Sequence, residues 1–150
     1  MGEIKSMSPY LNTEVIIKHD EVVLERLGNE IVIISFNSGR YYSAKGLATD
    51  ILLLIENRVP AAKWELKLNK YYSFEVLKRN KLRKFLETLL ENNLCVGIQE
   101  LEDSDYELPI DLQREQFDEP VLKIYDDLQD IIMVDPIHDT SIEGWPEKNE

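Results

Sequence analysis

The stretch FNSGRYYSAKGLATDILLLIEN, residues 36–57, decides the fold. Asn37, Ser38 and Gly39 form a turn, and Gly39 supplies the positive φ that closing a hairpin needs. Arg40, Tyr41, Tyr42 and Ser43 read as a strand, because aromatics suit a pleated surface. Neighbouring strand side chains point to opposite faces, so one of Tyr41 and Tyr42 packs in the core. The other faces out, toward a ligand or a helix. Ser43 is placed to cap a helix. Leu47, Ile51, Leu52, Leu54 and Ile55 then fall near one helical stripe, which predicts a helix over 44–57.

Working toward the N-terminus, residues 30–36 (EIVIISF) read as a buried strand, set off by the turn signal Gly28-Asn29 from an alternating run at 21–27. Val15, Ile16 and Ile17 read as a short strand of their own. The expected sheet is a three-stranded antiparallel meander over 21–27, 30–36 and 40–43.

Toward the C-terminus, Pro60 fits the first turn of a second helix over 61–69. Ser73 is a candidate N-cap for a third helix running to Asn93. There Val76, Leu82, Phe85, Leu86, Leu89 and Leu90 make an apolar face, while Lys78, Arg79, Lys81, Arg83 and Lys84 crowd the first half. Residues 96–101 read as a last strand. The fold class is therefore α+β: a winged helix-turn-helix, with a three-stranded antiparallel sheet followed by three helices, over residues 13–100. Residues 101–116 form an acidic linker expected to be weakly ordered, and 117–150 form a tail.

The charge distribution narrows the function. The 150-residue chain has a formal net charge of -12, yet residues 61–90 hold eight bases against three acids. Residues 100–150 hold seventeen acids against three bases, Arg114, Lys123 and Lys148. Such a chain is a poor general nucleic-acid binder, since affinity for phosphate rests on many Lys and Arg contacts. Its basic segment suits an acidic partner, the chain's own tail included. Cys95 is the single cysteine, so no internal disulfide forms, and a reducing, cytoplasmic compartment fits. No apolar stretch is long enough to span a bilayer, and the N-terminus lacks the pattern of a signal peptide.

At Gly39-Arg40-Tyr41-Tyr42, followed by Leu47-Ala48 and Ile51-Leu52, the chain resembles the PqqD-like family. These small domains bind leader peptides in the biosynthesis of ribosomally made, post-translationally modified peptides. The resemblance covers residues 20–98 and extends to Leu94-Cys95-Val96 after the third helix. Ala44-Lys45 departs from it, where the family more often has Leu-Asn, and minimal members lack the tail. The resemblance implies a non-catalytic adaptor with no cofactor, whose partners are a precursor peptide and peptide-modifying enzymes. The leader would add as a strand beside Arg40, Tyr41, Tyr42 and Ser43. The other wall of its groove would carry Lys78, Lys81, Leu82, Arg83, Lys84 and Phe85. Lys78, Lys81, Arg83 and Lys84 read most simply as a solvated helix face.

The tail is similar to a ligand of this kind. Phe117-Asp118-Glu119-Pro120-Val121-Leu122 is similar to the aromatic-x-x-Pro-x-Leu signature of lasso-peptide leaders. Pro120 favours an extended chain, and Val121 to Tyr125, with Leu122 and Ile124, alternates as an added strand does. The 22 residues from Cys95 to Phe117 span about 70 Å when extended. The tail thus reaches the domain's own groove, or a neighbour's in a homodimer made by tail exchange. Residues 128–133 have helical spacing. Asp135, His138 and Asp139 form a polar knot near Trp145, read as structural or as a recognition motif. The leading alternative function is a winged-helix DNA-binding regulator. A small enzyme using Asp135 and His138 is a third, with no Gly-rich cradle or nucleophile elbow to support it. Two histidines and one cysteine give no zinc constellation, and Asp126, Asp127 and Asp130 lack calcium-loop spacing.

Overall fold

The computed structural model describes residues 8–73, 75–114 and 119–126. The two reverse turns read from the sequence set the sheet. β1 (Glu14–Ile17) leads into β2 (Val22–Leu27), and β2 pairs antiparallel with β3 (Glu30–Ser35) across Gly28-Asn29 in the register Leu27↔Glu30. Ile31, Ile33 and Ser35 of β3 are buried, alternating with half-buried neighbours, as period-two patterning requires. Gly39 has φ 73, and its N–H donates to the Ser35 carbonyl at 2.9 Å. The turn it closes brings β4 (Tyr41–Lys45) antiparallel beside β3.

β4 runs two residues past Ser43, and the 44–57 helix starts later than expected. Gly46, at φ 62 and ψ -129, turns the chain, and α1 spans Leu47–Glu56. Ser43 therefore caps no helix; it is buried in β4 and donates to the Glu30 carboxylate at 2.6 Å. α1 is buried on almost every side, Thr49 and Asp50 included. It forms the centre around which the other elements pack. Trp64 and Leu68 of the short α2 (Trp64–Leu68), which follows a 3₁₀ turn at Ala61–Lys63, close one flank. Trp64 stacks on Tyr10 with ring centroids 5.5 Å apart.

Ser73 is not an N-cap either. Val76 and Leu77 donate back to its carbonyl in a turn, and α3 begins six residues later, spanning Arg79–Glu91. Leu82, Phe85, Leu86 and Leu89 are its buried face, at the three- and four-residue spacing of an amphipathic helix. β5 (Cys95–Ile98) then pairs antiparallel with β1. This two-stranded sheet carries a buried acid. Glu14 accepts the Ala61 N–H at 3.0 Å, and burial raises its pKa against the lowering effect of that bond.

Among the described residues the architecture is α+β with antiparallel sheets and three helices, but the sheet differs from a three-stranded meander. These residues form two sheets: β1-β5, and a four-stranded sheet in the order β2-β3-β4-β6. The added β6 is Leu122–Tyr125. Residues 101–114 carry no helix or strand, yet they are not a loose linker, because Leu108 and Leu112 are buried against the domain.

Candidate functional site

β4 would be the edge of its sheet without β6. β6 pairs with it antiparallel in the register Tyr41↔Tyr125, Tyr42↔Ile124, Ser43↔Lys123 and Ala44↔Leu122. Paired residues share a face, so Leu122 and Ile124 lie on the same face as Ala44 and Tyr42. Leu122 is half-buried and packs on the core, whereas Val121 and Ile124 are 55% and 45% exposed. The segment thus packs Leu122 on the core, half-buries Tyr125 opposite Tyr41, and leaves Val121 and Ile124 mainly to backbone pairing.

α3 supplies the opposite wall. Lys81, Lys84, Phe85 and Thr88 face Glu119, Pro120, Val121 and Leu122 across a groove of about 300 Å³. Lys81 Nζ lies 2.8 Å from Glu119, and this contact holds the Glu119 carboxyl below its ordinary range, with Lys78 adding a smaller lowering effect. At the other end Arg40 Nε lies 3.7 Å from Asp126.

The expected site residues thus separate into three groups. Arg40, Lys81, Lys84 and Phe85 stand around the β6 segment. Lys78 is exposed at the start of α3 and acts on Glu119 only through its field. Tyr42 and Leu82 belong to the core, at 1% and 0% exposure, and Tyr41 is the half-buried outward tyrosine. Phe117, residues 128–133, Asp135, His138 and Trp145 lie outside the described residues.

One contact was not anticipated. Asp50, buried at 0% exposure in α1, receives Arg114 in a two-pronged contact, Nε to Oδ2 at 2.7 Å and Nη2 to Oδ1 at 2.9 Å. Tyr72 Oη donates to the same carboxylate at 2.6 Å. The guanidinium also lies 3.8 Å from the Tyr71 ring centroid and donates to the Pro109 carbonyl. Further pairs follow the strap of residues 101–114: Lys63 to Asp103, Lys67 and Lys70 to Glu107, and Arg26 to Asp111. Lys70 first, then Lys67, holds the Glu107 carboxyl low. The sequence flags Asp50 alone, as an acid interrupting an apolar stripe that needs a cation or donors if buried, and not its partner.

Among the described residues, no group of three or more His, Cys, Asp or Glu side chains is placed to hold a metal ion. None of the described helices is long and apolar enough to cross a membrane. His19 sits 3.3 Å from Glu56 at the surface, and Cys95 is buried. No protein-family model, curated protein or solved structure matches the chain.

Proposed function

We propose that the chain is a non-catalytic adaptor in the biosynthesis of ribosomally made, modified peptides. It takes up an extended leader peptide by strand addition at β4, against α3, and delivers it to peptide-modifying enzymes in the cytoplasm. In this reading α1 to α3 and the β2–β3 hairpin correspond to a winged helix-turn-helix, and β6 is a built-in occupant of the leader's place. The observation that carries the reading is the β4–β6 ladder. An extended segment of this chain satisfies the β4 edge, with one leucine seated beside a groove walled by a basic helix. Exchange of the segment between two copies would give a homodimer by the same contacts.

The test adds a synthetic peptide of residues 117–126 to the full chain and follows backbone NMR. Saturable displacement, with β6 resonances moving to free positions while β4 and α3 stay folded, supports strand addition. That binding should respond mildly to salt, because backbone pairing and apolar burial carry it. A chain that ignores the peptide but binds duplex DNA, with affinity collapsing steeply as salt rises, is the winged-helix regulator instead.

A further inference from the structure

The β6 segment is met at three points by β4, α3 and the residue before β4, and their spacing is a recognition pattern. Leu122 is the central point. It lies across the ladder from the buried Ala44 and packs against the core beside Phe85. Val121 and Ile124 are largely exposed and contribute little selection. The two outer points are charged. Glu119, three residues before the leucine, meets Lys81 at 2.8 Å, and Asp126, four residues after it, meets Arg40 at 3.7 Å. Lys81 stands in the first turn of α3 and Arg40 immediately before β4, so the two cations come from different elements at opposite ends of the β4–β6 ladder.

We propose that the peptides accepted here are extended segments with one branched apolar anchor, an acid three residues before it and a second acid four residues after it. Lys81 and Arg40 are the specificity-determining residues that read those acids. The inference rests on the peptide-binding reading and adds its ligand class. The unequal spacing also fixes direction, since a reversed segment places its acids out of step with both cations. Backbone pairing accepts almost any sequence, so discrimination falls to the anchor and the two ends. Exposed ion pairs are individually weak, so each end contributes a modest factor, about three- to fivefold.

The experiment uses the full chain and pairs of fluorescent peptides spanning residues 117–126, one natural and one carrying Glu119→Lys. The ratio of their affinities on the same protein cancels the competition from β6. On the wild-type chain the natural peptide should win by about three- to fivefold. On Lys81→Glu the preference should invert, and on Lys81→Gln the ratio should fall toward one. The same inversion is expected for an Asp126→Lys peptide against Arg40→Glu. In 1 M salt, where screening acts over about 3 Å, both ratios should shrink. Peptides that bind with a ratio unmoved by Lys81→Glu and Arg40→Glu would overturn the two-acid pattern while leaving peptide binding intact. Failure of every peptide to bind any of the chains would overturn both.

Discussion

Replacing Arg114 by Ala should release the strap of residues 101–114 while the domain beneath stays folded. The substitution removes both contacts to Asp50, leaving a fully buried carboxylate with the Tyr72 hydroxyl at 2.6 Å. Breaking one side of a buried ion pair typically costs about 3–5 kcal/mol. Against that, the strap's two buried leucines, Leu108 and Leu112, gain about 1.5–3 kcal/mol each, before the cost of ordering the chain that carries them. The loss is therefore comparable with what the two leucines gain, and the exposed ion pairs at Asp103, Glu107 and Asp111 add little to it. Peeling it away also lets water reach Asp50. Detachment is the cheaper response than unfolding a domain whose stability is about 5–15 kcal/mol. Amide hydrogen exchange in Arg114→Ala should show residues 104–113 and β6 losing protection together, with β2, β3 and α1 largely unchanged. A double variant, Asp50→Leu with Arg114→Met, should lose much less stability in urea than Arg114→Ala, because no bare charge remains. If Arg114→Ala leaves the strap fully protected, the ion pair does not hold it.

Gly39→Ala should lower stability by about 1 kcal/mol in urea denaturation, because φ 73 disfavours any Cβ, although open space surrounds the position. Acid should loosen the strap and β6 before it unfolds the domain. Glu107 and Glu119 are held below the ordinary carboxylate value of 4.5, so their contribution is complete above that value and is lost as pH falls through the lowered native ones. NMR titration of residues 101–126 from neutrality downward tests this, and it is wrong if β3 and α1 lose their native resonances first. Burial pushes the Cys95 thiol up to about 12, so a thiol reagent should label the chain only once it is unfolded. Fast labelling under native conditions would contradict that.

The parts of the fold that local chemistry determines were legible in the sequence. Gly39 and Gly28-Asn29 marked both hairpin turns, and the apolar periods of α1 and α3 marked the helices. The helix starts were missed for a local reason. Ala44 and Lys45 are helix-tolerant residues that the β3 ladder keeps extended, and Gly46 is the true corner. Ser73 looked like a cap but heads a turn whose Leu77 is buried. The Asp50–Arg114 pair spans 64 positions, and no local period reports such a contact. At the candidate site, Arg40, Lys81, Lys84 and Phe85 came from what the family resemblance implies, and no periodicity of the chain singles them out. Leu82 falls on the same helix but one step round, into the core.

The β6 strand also bears on colloidal behaviour. A bare β4 would offer a row of unsatisfied backbone groups flanked by tyrosines, a template on which other copies could stack. β6 replaces that edge with one only four residues long, led in by Pro120, carrying Lys123 in its middle and followed by Asp126. Short, charged and proline-flanked edges resist further pairing. Whatever displaces β6 must therefore take over its shielding at once. A chain shortened before residue 119 should precipitate at concentrations where the full chain stays monodisperse.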